Sequence, residues 1–221
     1  WEESGMDLHE ALYTTRAMRR MKADAIPIDA QARILDAAIR APNIGEGWRF
    51  ILIDDRELLD ELAPRYERAW ERLFERFGTT VAAMLQAPGD AGRAARSGDH
   101  LARHFAEVPL LLLAFSRDAE GSGVLPAVWS AMLAARAEGI GSTLTGVLQT
   151  FFADEVFELV GVPTGEGWHL HAVVPMGYPV GRWGVAPRRP VHEVAGRNAW
   201  DGELGFSVPE PLWPPGEDRR Q

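Results

Sequence analysis

Four cations, Arg16, Arg19, Arg20 and Lys22, fall within seven positions of a chain whose formal net charge is −9. Arginine grips phosphate through paired, charge-assisted hydrogen bonds, so such a knot is the pattern of an anion site. It is also the pattern of a solvated helix end, because residues 14–22 lie between two helical segments, 7–13 and 29–41. Arg188 and Arg189, followed by Pro190, form a second basic knot. The two knots could converge on one phosphate or remain separate surface charges. Among the histidines, His100 and His104 have i, i+4 spacing, and His169 and His171 share a strand face. Either pair could hold a metal, but a pair supplies too few ligands and no metalloprotease carboxylate accompanies it, so no metal site is expected. No Gly-x-Ser-x-Gly elbow marks a serine nucleophile.

Three glycine-bearing loops, 43–47, 139–146 and 177–184, could let backbone approach a ligand closely. None matches a Walker loop or a dinucleotide fingerprint. Trp48, Trp129 and Trp183 lie beside these loops and could line a planar ligand. The 221 residues are 46% apolar and 25% charged, as in an ordinary globular protein able to bury a sizeable core. The acidic balance argues against nucleic acid as a partner. The absence of cysteine excludes disulfides and thiolate chemistry. The longest apolar run, 108–115, is too short to span a membrane. With no signal peptide legible, a cytoplasmic location is expected.

The elements that must position these residues follow from periodicity. Residues 29–41 read as a helix capped by Asp29 and stopped by Pro42. A strand over 49–54 is followed by a helix opening at 54–57 in capping-box style. Leu58, Leu62, Tyr66, Trp70, Leu73 and Phe77 form its stripe, despite Pro64. Residues 86–99 read as a mobile surface segment. A strand buried on both faces is expected in 108–115, a helix over 124–138, a short helix over 153–160, and a strand over 169–176. The expected organisation is one domain over 1–207, with 62–100 a candidate lid or insert, and a Pro-rich tail over 208–221. The fold class is α+β or three-layer α/β with a small sheet.

In order, these segments resemble the FMN-dependent nitroreductase family over roughly residues 8–195. Thr15-Arg16-Ala17-Met18-Arg19-Arg20-Met21 is similar to that family's N-terminal Arg-Arg-Ser-x-Arg-x-Phe. The helix ending Arg40-Ala41-Pro42, followed by Trp48-Arg49-Phe50, resembles its helix, Ala-Pro turn and first strand. Leu133 to Gly141, then Thr143-Leu144-Thr145, resembles its central helix and the loop under the flavin. Gly177-Tyr178-Pro179-Val180-Gly181-Arg182, with Arg188-Arg189-Pro190-Val191, resembles its closing motif.

The resemblance implies an α+β three-layer sandwich, a small central sheet flanked by helices. It implies a homodimer whose sheet gains a strand from the partner's C-terminal segment, with FMN at the interface. It implies ping-pong transfer of hydride from NAD(P)H to a small-molecule electron acceptor such as a nitroaromatic or a quinone. Carried over by position, Arg16, Arg19 and Arg188 would take the phosphate and ribityl end, flanked by Thr15, Ala17 and Arg189. Leu144, Thr145 and Gly146 would meet the ring, and Asn43 and Ile44 would come from the other subunit. Trp129 and Ser130 would stand at the ring pocket.

Three departures cluster on that site. Ala17 replaces the family's serine, the 43–47 loop is short and carries Glu46, and Trp129-Ser130 stands where relatives often carry Gln-Asn. Two readings follow: FMN is retained in a reshaped pocket, or the flavin is lost or exchanged. In the second case the chain would be a binding or partner protein, or would use another cofactor such as a deazaflavin.

Overall fold

The computed structural model describes residues 5–43, 45 and 47–214. In chain order the elements are α1 (Leu8–Thr14), α2 (Ile28–Ala38), β1 (Trp48–Ile53), α3 (Arg56–Arg76), α4 (Val81–Leu85), α5 (Gly89–Arg103), β2 (Leu110–Ser116), α6 (Val124–Ala137), β3 (Gly141–Ser142), α7 (Val147–Val160) and β4 (His169–Gly177). Single-turn 3₁₀ helices lie at Phe105–Glu107 and Val191–Glu193. The chain divides into two compact units, one of residues 17–182 and one built from both ends, 1–16 and 183–221.

The larger unit holds a four-stranded sheet in the order β1-β2-β4-β3, with every pair antiparallel. β2 is buried at every position, because its leucines alternate between two covered faces. Leu111, Leu113 and Phe115 join a core with α3, α5 and α7, through residues such as Leu62, Leu101 and Leu148. Leu110, Leu112 and Ala114 join a second core with α2 and α6, through Ile34, Ala38, Val128 and Ala135. The result is the expected three-layer α+β arrangement. A bulge between Ala114 and Phe115 shifts the β2–β4 register.

Several local expectations are corrected. α2 starts at Ile28 after Pro27, and Asp29 sits in its first turn bonded to Arg33 rather than capping it. α3 is capped by Asp55 alone, whose carboxylate accepts from the Leu58 N–H. Phe77 ends α3 and is exposed, so it leaves the stripe. Residues 86–99, read from sequence as mobile surface, lie mostly in helix α5, which runs from Gly89 to Arg103. Its alanines favour helix, and Gly98 lies flush against the Trp70 ring, where any Cβ would clash. α7 begins at Val147, six residues earlier than expected, because two helical pieces meet across non-helical Phe152.

α1 is capped by Asp7, which accepts from the N–H groups of His9 and Glu10. The Tyr13 and Trp213 rings lie 6.0 Å apart. Residues 183–214 are mostly irregular, since their prolines interrupt both helix and ladder. One turn is closed by Arg197 N–H to the Gly202 carbonyl (3.0 Å), with Asn198 left-handed at φ 62°.

Candidate functional site

The basic stretch enters the larger unit as extended backbone. Met18 N–H donates to the Ser142 carbonyl at 2.9 Å, and Lys22 N–H donates to that of Tyr178 at 2.8 Å. Arg20 accepts from Val180 N–H at 3.0 Å. Two glycines make this seat possible. A Cβ on Gly141 would come within 2.8 Å of Met18 Cβ, and one on Gly177 within 2.9 Å of Met21 Cβ.

The backbone so placed carries the Arg19 side chain to a half-buried position. Its Nη1 reaches Ser97 Oγ on α5 at 3.5 Å, a long contact. Burial pushes the guanidinium below its usual value, and the nearby Tyr66 acts in the opposite sense. Among the described residues no carboxylate forms an ion pair with Arg19. Arginine stays protonated even so, and a partly desolvated cation without a carboxylate is suited to a ligand anion.

Tyr66, on α3, is buried and stacked on Phe105 with ring centroids 4.1 Å apart. Its Oη lies 3.1 Å from Thr145 Oγ1. Burial raises the phenol's pKa, while the Thr145 hydrogen bond and the Arg19 charge pull it down. The strand β3 continues into the 143–145 loop by backbone bonds to β4. Thr143 N–H donates to the Pro175 carbonyl (3.2 Å) and Thr145 N–H to that of Val173 (2.9 Å). Leu144, between them, is 46% exposed. Thr143 Oγ1 is buried and has no hydrogen-bond partner among the described residues.

The structure therefore gathers Arg19 and Thr145, with Leu144 and Gly146 beside Thr145 in the chain, and Ala17 bridged to Ser142. Asn43 lies elsewhere, against Gly123, lining a cleft of about 780 Å³ with Ser116, Arg117 and Asp118. Ile44 and Glu46 lie outside the described residues. Trp129 is 43% exposed on α6, one turn from exposed Leu125, so the indole projects to the surface of its own chain. Ser130 Oγ donates to the Pro126 carbonyl of the same helix. In the terminal unit Thr15 Oγ1 donates to the Ala11 carbonyl (2.7 Å), and Arg16 is exposed. Arg188 is exposed and bonds the neighbouring Pro187 carbonyl. Arg189 lines a cleft of about 960 Å³ with His192, Glu193, Trp200 and Asp201.

The histidine pairs serve other ends. His104 Nδ1 meets Glu107 at 2.9 Å, and burial pushes His171 below its usual pKa. Among the described residues no group of three or more potential metal ligands gathers.

Sequence reasoning missed Tyr66 and Ser97 as site residues. Tyr66 left a usable signal: a phenol in an otherwise apolar stripe must find a partner when buried. Ser97 left none, since it lies in a segment misread as loop.

The sequence model of the nitroreductase family matches residues 12–178. The chain belongs to the nitroreductase family. Among curated proteins nothing matches its sequence. Solved structures share the nitroreductase fold at low identity. An iodotyrosine deiodinase bound to FMN and 3-iodo-L-tyrosine has 24% identity and a TM-score of 0.66, over 87% of this chain and 99% of that one. A BluB-like flavoprotein from Clostridium difficile 630 has 19% identity and a TM-score of 0.65, over 87% and 99%. A nitroreductase with bound FMN from Desulfitobacterium hafniense DCB-2 has 20% identity and a TM-score of 0.60, over 83% and 96%. No helix described in this nitroreductase-family chain is long and apolar enough to cross a membrane.

Proposed function

We propose that the protein is an FMN-dependent oxidoreductase that acts as a cytoplasmic homodimer. It takes reducing equivalents from NAD(P)H and delivers them to a small acceptor, such as a nitroaromatic or a quinone, in separate half-reactions. Family membership supports flavin oxidoreductase chemistry, as do the FMN-bound structures that share its fold. The observation that carries the reading to this chain is Arg19, half-buried and without an acidic partner among the described residues, beside the Leu144–Gly146 segment's Thr145 through Tyr66. When bound, the flavin supplies the two-electron chemistry, and the protein supplies position and electrostatics.

In this reading Arg19 holds an anionic or carbonyl part of the cofactor. Leu144 offers an exposed apolar surface to a planar ring, and half-buried Thr145 offers a hydroxyl. Asn43 and its loop serve the partner's site, which is consistent with their separate cleft. The dimer is supported by apolar surface left uncovered on the single chain: Leu125 and Trp129 on α6, and Val194, Trp200 and Phe206 near the C-terminus.

The test is the visible spectrum of the purified protein, repeated after adding FMN and removing the excess. Retained flavin bands that bleach with NADH or NADPH support the reading. A protein that stays colourless after reconstitution overturns it. Light scattering at micromolar concentration tests the dimer, and a monomer would remove it.

A further inference from the structure

A buried hydroxyl costs free energy unless it is paired, and the partner chosen by Tyr66 is not a backbone carbonyl but the Thr145 hydroxyl at 3.1 Å. A phenol is more acidic than an aliphatic alcohol, so Tyr66 donates and Thr145 Oγ1 accepts. The Thr145 hydroxyl proton is then left for a different acceptor. Both partners are immobilised. The Tyr66 ring is stacked on buried Phe105, and the Thr145 backbone is tied to Val173 by N–H donation at 2.9 Å and by acceptance at 3.3 Å. The Arg19 charge acts on the Tyr66 phenol. A donor fixed in this way and polarised from behind makes a stronger outward hydrogen bond than a free threonine.

Resting on the flavin reading above, the geometry points to Tyr66 as a positioning residue that acts through the Thr145 hydroxyl to set how readily a bound flavin accepts electrons. Hydrogen bonds to the flavin ring tune its electronics, and a donor favours the more electron-rich reduced form. The competing role for Tyr66 is purely structural, a core phenol that happens to be satisfied.

The experiment compares wild type, Tyr66→Phe, Thr145→Val, Thr145→Ser and the Tyr66→Phe/Thr145→Val double variant. Each is measured for oxidised-FMN affinity by titration of the apoprotein, for flavin midpoint potential, and for apoprotein melting temperature. Tyr66→Phe keeps the Phe105 stack and removes only the hydroxyl. It is expected to weaken binding of reduced relative to oxidised FMN by roughly three- to tenfold, tenfold being about 30 mV for a two-electron couple. Thr145→Val lowers the potential at least as far, Thr145→Ser stays near wild type, and the double variant matches Thr145→Val alone. An unchanged potential in Tyr66→Phe overturns the inference even if melting falls, since the hydroxyl then serves stability alone. Fully additive effects also overturn it, because Tyr66 would not be acting through Thr145. A wild-type protein that does not retain FMN defeats the flavin reading first, and the inference with it.

Discussion

The two faces of the sheet are packed from different material. Under α2 and α6 the layer is alanine and aliphatic, with Ala30, Ile34, Ala38, Ala131 and Ala135 meeting Leu110, Leu112 and Val174. Under α3, α5 and α7 it is rich in rings, with Tyr66, Phe105, Phe115 and Phe152. Small side chains let helices settle closely, and the polar group buried with them is held by the chain itself, Gln31 Nε2 donating to the Ile26 carbonyl at 2.8 Å, while at the rim Arg33 is tied to Glu138. The second face admits polar atoms. Tyr66 reaches Thr145 there, and the buried Trp70 Nε1 and Gln149 Oε1 on its helices have no partner among the described residues. The contrast separates a scaffold from a site: polar groups that a ligand can use survive where rings and glycines leave room for them.

Substitutions on each face should therefore fail in different ways. The largest effect is expected from Ile34→Ala, which leaves a cavity in the aliphatic layer and should cost about 2–5 kcal/mol of unfolding free energy in urea. FMN affinity of the folded protein should not change. A parallel loss of FMN affinity would break the division of labour. Next comes Arg19→Ala on the other face. Loss of charge-assisted bonds should weaken FMN by on the order of 1.5–3 kcal/mol, roughly ten- to a hundredfold. Melting temperature should hold or rise, because a partly desolvated cation is removed. Unaltered FMN affinity would take Arg19 out of the site.

How much of this was legible in the sequence follows from the physics of each signal. The sheet's central strand was plain because four consecutive leucines, 110–113, have no alternative to double-sided burial. The seat of 17–22 was visible only as motif order, since backbone pairing to 142 and 178–180 depends on residues more than a hundred positions away. α5 was misread because its glycines suit both a loop and close helix packing, and only Trp70 decides between them. Arg19 and Arg188 look alike as letters. One is drawn half into the protein and the other bonds its neighbour's carbonyl, a difference set by tertiary placement rather than by residue type. Leu144 could be marked from its glycine-bearing loop and is exposed there, but the phenol behind Thr145 was hidden in a stripe that periodicity assigns to core.

Gly98→Ala tests the ring-rich face by crowding it. The added methyl would run into Trp70, and overpacking of this kind costs about 1–3 kcal/mol. Because Ser97, the neighbour of Gly98, contacts Arg19, FMN affinity should fall together with stability. Ile34→Ala should not do this. A Gly98→Ala protein that melts lower yet binds FMN normally would show that α5 can shift without disturbing Arg19.

The smallest effect belongs to the rim of the aliphatic face. Arg33 joins α2 to α6 through two bonds to Glu138, at 2.7 and 2.8 Å, and takes Asp29 at 2.9 Å. The hydrogen bonds from Arg33 hold the Glu138 carboxyl below its ordinary value of 4.5. A folded-state value below the unfolded one means that the pair's contribution is fully present above the unfolded value. It is lost as pH falls through the folded one. Wild type should therefore shed this contribution from about pH 4.5 downward, whereas Glu138→Gln never had it and should show a flatter melting profile over that range. The two profiles should differ only slightly, because the pair sits half-exposed at the rim and water still screens it. FMN affinity at neutral pH should be the same in both proteins, since this tie serves the scaffold. Parallel acid profiles would mean that side-chain packing alone, without the ion pair, holds α2 against α6.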